Sequence, residues 1–337
     1  MPYNKSDLRR LLEESDINLI DPISIPESLI EFNSAPVATL GNFSAIIGRA
    51  KSKKTYFLTY LMAQAFKSTT KKINITRPKG KSGVVLFDTE QSSTRTQKNI
   101  NTLGKMCSDS EIDLKIKNLR KHQPSLRAEL IEQYLEDNHE DICLVVLDGV
   151  KDLVNSINNE EQATYIVSKL LQWTDVYNVH IIVVLHQNKA DSNARGHLGT
   201  EIVNKAESVI EVMKDQHNKD ISHIKCVFAR DKEFEPLTLL IKPDGIPELI
   251  EDRKVFKSTQ DKYDDSDLVQ TILTDIFSEY PSLTYGSLKS QLKQHCIKNS
   301  LSHHDKKLVA IIAENKQNGN LTTKKGAKNT TIYQSIL

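Results

Sequence analysis

Four apolar runs constrain the fold most: "FSAIIG" (43–48), "SGVVLFDTE" (82–90), "ICLVVLD" (142–148) and "HIIVVLH" (180–186). Each has consecutive Val, Ile, Leu or Phe where a half-buried strand would alternate apolar with polar. A strand that is apolar on both faces must be covered on both faces. That is the situation of a parallel strand between two layers of helices. Amphipathic segments at 54–68, 92–105, 125–138 and 160–178 alternate with the runs and supply those layers. Further strands are predicted at 207–213, 224–230 and 237–242 without helices between them, so that end of the sheet is expected to be antiparallel. The fold class is α/β, with a mostly parallel central sheet.

A chain of 337 residues accommodates about two domains. Residues 1–37 read as a strap: Leu8, Leu11 and Leu12 form one short amphipathic face, and Pro22, Pro26 and Pro36 break up the remainder of the segment. Residues 38–250 hold the α/β pattern. Residues 251–265 are charged and nearly free of aliphatics, which marks a linker. From 266 the composition changes. Three amphipathic helical segments, the first capped by Ser266 and the last closed by Gly319, precede two short strands around "KKGAKN". This order predicts a winged-helix-like domain over 266–337.

That module carries nine Lys/Arg against five Asp/Glu, a net of +4, whereas the whole chain has 45 against 44 and a net of +1. A basic module on a slightly acidic body is the footprint of a phosphate-backbone binder. Lys306 and Lys307 open the expected recognition helix, and Lys324, Lys325 and Lys328 sit on the expected wing. The alternative is a protein-binding winged helix with a solvated basic face. Four dispersed cysteines with no C-x-x-C pair argue against a zinc or disulfide framework and fit a reducing cytoplasm. The N-terminus is polar and no run of about 18 apolar residues occurs, so no membrane span is expected.

The segment "GRAKSKKT", residues 48–55, joins the first apolar run to the first helical pattern. It has the outline of a phosphate-binding loop, G-x-x-x-x-G-K-[ST], with Lys53 in place of the second glycine. Backbone amides of Gly48, Arg49, Ala50, Lys51, Ser52, Lys53, Lys54 and Thr55 would cradle phosphates at a helix N-terminus. Lys54 would reach the β- and γ-phosphates, and Thr55 would bind Mg²⁺. A side chain at Lys53 is expected to require a negative φ, and Lys53→Gly is expected to keep nucleotide binding and to alter turnover modestly. Asp88 and Glu90 end the second run, where a carboxylate can deprotonate an attacking water; capping of the next helix is the alternative role. Asp148 ends the third run, the place of a residue that holds Mg²⁺ through water. His186 ends the fourth and is placed to touch a γ-phosphate. "ADSNARGHLGTEIV" (190–203) comes after it and reads as a mobile loop whose Arg195 can contact DNA. Arg230 and Lys232, after "CVFA", are candidates for a cation inserted into a neighbour's site; ordinary hairpin charges are the alternative.

In this order, "GRAKSKKT", "LFDTEQSSTR", "LVVLDGV", "VLHQN" and "ARDKEFEP" resemble the motifs of RecA-like ATPases, and most of all the RepA-type hexameric helicases and related ATPases of mobile elements. The resemblance covers about residues 38–245. It implies an ATP-dependent DNA helicase or translocase. ATP–Mg²⁺ would sit at Lys54, Thr55, Glu90 and Asp148, with a sensor at His186 and Arg230 or Lys232 acting in a neighbouring subunit. It further implies a ring or filament in which each site is completed by a neighbour. A hexamer is expected, with single-stranded DNA through the core. The basic charge of the C-terminal domain, which the resemblance does not cover, leads to an expectation of duplex binding there. Two departures stand out: Lys53 replaces a glycine, and Gly149 follows Asp148 where some relatives carry a second acid. A nucleotide-gated DNA-binding regulator of a mobile element and a ring-forming scaffold ATPase without DNA are the alternatives.

Overall fold

The computed structural model describes residues 4–17, 28–67, 72–107, 111–188, 194–216, 218–250, 265–298, 305–326 and 330–335. The chain divides into two compact units, Met1–Arg253 and Lys254–Leu337. The expected linker at 251–265 lies, except for Asp265, outside the described residues.

The first unit is built on a nine-stranded sheet. Its strands are β3 (Phe43–Gly48), β5 (Gly83–Asp88), β6 (Leu114–Asn118), β7 (Ile142–Asp148), β8 (His180–His186), β9 (Ser208–Lys214), β10 (Ile221–Ala229), β11 (Leu237–Ile241) and β12 (Pro247–Ile250). They lie in the order β12-β11-β10-β9-β3-β8-β7-β5-β6. From β9 to β6 the pairs are parallel, and from β9 to β12 they are antiparallel. Every residue of β3, β5 and β7 is buried, as their unbroken apolar runs predict. Helices α2 (Lys54–Gln64), α3 (Ser93–Met106), α4 (Pro124–Asn138), α5 (Glu160–Val176) and α6 (Gly196–Lys205) form the connections. The buried side chains fall into two clusters. One holds Phe57, Leu61, Val84, Val146 and Ile210, and the other holds Phe43, Val85, Leu147, Trp173 and Ile181. Alternate residues of the same strands thus serve opposite layers.

Three features depart from the sequence reading. The strap boundary at 37 falls inside a strand: β1 (Ser28–Phe32) and β2 (Ala35–Thr39) pair as a hairpin, and β1 also pairs with β4 (Ile73–Ile75). Leu29, Ile30, Phe32 and Val37 belong to the core. By contrast, α1 (Lys5–Glu14) has no buried residue. The region expected to be a mobile loop contains α6, whose Leu198 and Ile202 are fully buried; residues 189–193 lie outside the described part.

The second unit contains α7 (Asp265–Glu279), β13 (Leu283–Thr284), α8 (Tyr285–Lys298), α9 (Asp305–Gln317), β14 (Leu321–Lys325) and β15 (Thr331–Ser335). Its sheet order is β13-β15-β14, all antiparallel. Leu273, Ile276, Leu288, Leu292, Leu308 and Ile312 give it a core of its own.

Candidate active site

The loop between β3 and α2 is tightly built. A Cβ on Gly48 would run into the Val212 carbonyl and the Ser52 hydroxyl, so only glycine fits the strand end. The chain then folds back, with the Ser52 N–H donating to the Arg49 carbonyl at 3.2 Å. Lys51 and Lys53 both adopt left-handed backbone, with φ of 65° and 71°. The expectation of a negative φ at Lys53 is therefore overturned. The residue keeps the conformation that glycine would supply, because α2 must start at once after the turn. That conformation costs an L-residue roughly 1–2 kcal/mol. The first N–H groups of α2 have no partner within the helix and present positive potential. The Ser52 Oγ is buried with no hydrogen-bond partner. An orphaned hydroxyl beside unpaired amides fits an anion of phosphate size.

The strand register gathers the other groups. Asp88 pairs with Asp148 across β5–β7, and Gly48 pairs with His186 across β3–β8. All four strands end at one edge, where open α/β sheets bind ligands. Asp148 is buried there, and desolvation, followed by the nearby Asp88 and Glu90, pushes its carboxyl up to about 6. Gln91 donates to Asp148 Oδ2 at 3.1 Å and lies 3.5 Å from Thr55 Oγ1. Lys54 Nζ donates to the carbonyls of Gly48 (2.8 Å) and Arg49 (3.1 Å) and lies 3.2 Å from His186 Nδ1. Burial pushes this ammonium down to about 8, opposed by Glu90 and Asp148. A protonated Lys54 can only donate, so Nδ1 of His186 accepts, and the Nε2–H faces Glu90 Oε1 at 3.4 Å. That bond, more than Lys151 at 3.9 Å, holds the Glu90 carboxyl below the usual range despite its partial burial. Lys54, His186 and Glu90 form one polar chain across the site.

Asp88 does not cap α3, whose N-cap is Ser92; it bonds the turn that precedes the helix. Its Oδ1 accepts from the N–H groups of Glu90 (3.1 Å) and Gln91 (2.9 Å), and its Oδ2 accepts from Thr96 Oγ1 at 2.5 Å. With its oxygens occupied, it shapes the turn that presents Glu90 and Gln91. A cavity of about 360 Å³ is lined by Lys51, Ser52, Lys53, Lys54, Thr55, Glu90, Asp148 and His186, together with Tyr56, Gln91, Arg95 and Lys151. Arg49 and Ala50 are exposed outside it. Sequence reasoning passed over Gln91, Arg95 and Lys151. Gln91 and Arg95 stand in the "DTEQSSTR" segment, and Lys151 lies three residues after Asp148, so proximity to strand ends was the available signal.

The remaining candidates lie elsewhere. Arg230 and Lys232 are exposed and do not line the cavity; Arg230 Nη2 donates to the Lys205 carbonyl at 3.0 Å. Arg195 is exposed, and its N–H donates to the His186 carbonyl at 3.1 Å. In the second unit, Lys306 and Lys307 fall in the first turn of α9, and Lys324 and Lys325 are exposed on β14. Lys328 lies outside the described residues.

Residues 6–192, more than half of the sequence, match the AAA domain family (AAA_25). The chain belongs to this family. The family supports an ATPase, and the match reaches into the N-terminal segment ahead of the motif-bearing region. No curated protein matches the chain. Among solved structures, the crystal structure of the RadB recombinase is similar, at 13% identity and a TM-score of 0.44, covering 64% of this chain and 94% of that one. This AAA domain family implies a bound nucleotide, typically with Mg²⁺. Among the described residues no cluster of three or more His, Cys, Asp or Glu could hold a metal. Mg²⁺ is commonly held by one or two protein groups, water and substrate phosphates, and Thr55 and Asp148 supply such a pair. Among the described residues no helix is long and apolar enough to cross a membrane.

Proposed function

We propose that this ATPase is a DNA motor of the RepA-type helicase kind, hydrolysing ATP at the interfaces of a homo-oligomer. Lys54 leaves the carbonyls of Gly48 and Arg49 for the β- and γ-phosphates, while Thr55 and Asp148, with Gln91 beside both, would hold Mg²⁺. The metal, when bound, offsets phosphate charge. Glu90, kept ionised by the Nε2–H of His186, takes the proton of the attacking water. Transition-state charge on the γ-phosphate is stabilised by a cation from outside the subunit, and the exposed Arg230 and Lys232 are suited to that task.

The observation that carries the coupling to DNA is the Arg195 N–H on the His186 carbonyl. The residue between Lys54 and Glu90 is thereby tied to the segment that presents the exposed Arg195. A change at the phosphate end has a bonded route to Arg195. The second unit has the element order of a winged helix, and its exposed Lys324 and Lys325 support duplex binding.

Hydrolysis measured with and without single-stranded DNA, alongside displacement of a labelled strand, tests the proposal. Stimulated hydrolysis with strand displacement is expected. Nucleotide-dependent DNA binding without displacement would replace the motor with a nucleotide-gated regulator. Absence of any DNA binding would leave a scaffold ATPase.

A further inference from the structure

Lys53 occupies a position where a phosphate loop normally has no side chain, so its ammonium needs a destination. In this structure the partner is a carboxylate of the β9–β10 hairpin. Lys53 Nζ lies 3.6 Å from Asp220 Oδ1, and the lysine side chain is only 15% exposed. Asp220 sits just before β10, at the turn from β9. Two residues further on, Ser222 Oγ donates to the Ser52 carbonyl at 3.1 Å. Two consecutive loop residues, Ser52 and Lys53, are thus bound to Ser222 and Asp220 of one hairpin.

The hairpin is a firm anchor. The Asp220 carbonyl accepts from the Ile241 N–H at 2.8 Å, and the Asp220 N–H donates to Asn218 Oδ1 at 2.9 Å. His223 Nε2 meets Asp215 Oδ2 at 2.9 Å across the base of the turn. Burial lowers the affinity of the Lys53 amine for its proton, and Asp220 opposes that shift against Lys214 and Lys219. A partly buried amine with one carboxylate beside it is held in place by that carboxylate.

We infer that Lys53 is a positioning residue: it latches the phosphate loop to the β9–β10 hairpin through Asp220, and so fixes the left-handed turn that glycine would otherwise provide. Lys54 binds phosphate and Lys53 holds the loop that presents it. The inference rests on reading this loop as the nucleotide site.

The test uses the full chain, a fluorescent ATP analogue, and hydrogen exchange of the loop amides at 49–55 without nucleotide. Lys53→Met and Asp220→Asn are each expected to weaken binding about three- to tenfold and to speed loop exchange. The double variant should be no worse than either single one, since one interaction is lost in all three. Lys53→Arg should restore most of the affinity. A melting temperature close to the parent's establishes that each variant is folded. A hundredfold loss in Lys53→Met with no effect of Asp220→Asn would overturn the latch and make Lys53 a phosphate ligand. Full affinity and unchanged exchange in both would also overturn it. Lys54→Ala serves as the separate control: unchanged binding in that variant would remove the nucleotide site itself, whatever Lys53 does.

Discussion

At the scale of single residues, the site divides into groups that hold charge and groups that shape the backbone. Glu90→Gln keeps the size and the bond to His186 but cannot accept a proton. Hydrolysis should fall about 10²–10⁴-fold with nucleotide affinity within a few-fold of the parent, read by single-turnover kinetics and equilibrium binding. The acids and the lysine were legible in the sequence because each stands beside an apolar run. Gln91 was not, since an uncharged amide in a polar segment carries no signal until Asp148 and Thr55 are seen beside it. The φ of Lys53 could not be read either, because the demand for a left-handed turn arises from how β3 and α2 meet. A different residue contributes to acid sensitivity. His180 is fully buried, with Nδ1 donating to the Thr39 carbonyl at 2.8 Å and Nε2 unpartnered, and burial pushes its pKa down to about 4. The unfolded chain binds a proton there below about 6.5, while the folded chain does so only near 4. Stability from this group is complete above the higher value and is lost as pH falls through that window, by about 3 kcal/mol in all. Asp148, with its carboxyl raised to about 6, contributes with the opposite sign over much of the same window. The His180 part is therefore read as a difference: in urea titrations at pH 7.5 and 4.5 the parent should lose more stability on acidification than His180→Asn does.

At the scale of elements, the decisive fit is β3 against β9 at Gly48. Gly48→Ala would push a methyl into the Val212 backbone, which the sheet cannot move cheaply. A loss of about 1–3 kcal/mol in stability is expected, together with a drop in nucleotide affinity, both measurable by melting with and without ATP. An unchanged affinity would mean that the loop adapts independently of the strand. Elements with continuous apolar runs or a clear helical period were readable from the sequence, and three with weaker patterns were not. β6, "LKIKN", alternates partly buried and exposed residues at the edge of the sheet, where lysines discourage further pairing. The β1–β2 hairpin turns on Asn33 and Ser34, both left-handed, without the glycine that usually announces such a turn. α6 hides behind Gly196 and Gly199. The first has a φ of 76°, and a Cβ on the second would strike Ala194, so close packing requires the glycines that made the segment look like a loop.

At the scale of the whole molecule, the sequence separates two units, and each has its own core. What the sequence cannot display is a neighbouring subunit, and the exposed placement of Arg230 and Lys232 makes that neighbour the central question. Two inactive variants answer it together. In Lys54→Ala the nucleotide site is disabled but both exposed cations remain. In the Arg230→Ala, Lys232→Ala double variant the site is intact but it has no cation to offer a neighbour. If hydrolysis needs a cation in trans, each variant alone is inactive. When mixed at equal amounts, an intact site meets an intact cation at roughly a quarter of random interfaces, and activity reappears in about that proportion. Hydrolysis across mixing ratios should rise to a maximum near equality and fall to nothing at either end. If mixed assemblies form, as shown by exchange of differently labelled subunits, and remain inactive at every ratio, then neither residue acts across an interface.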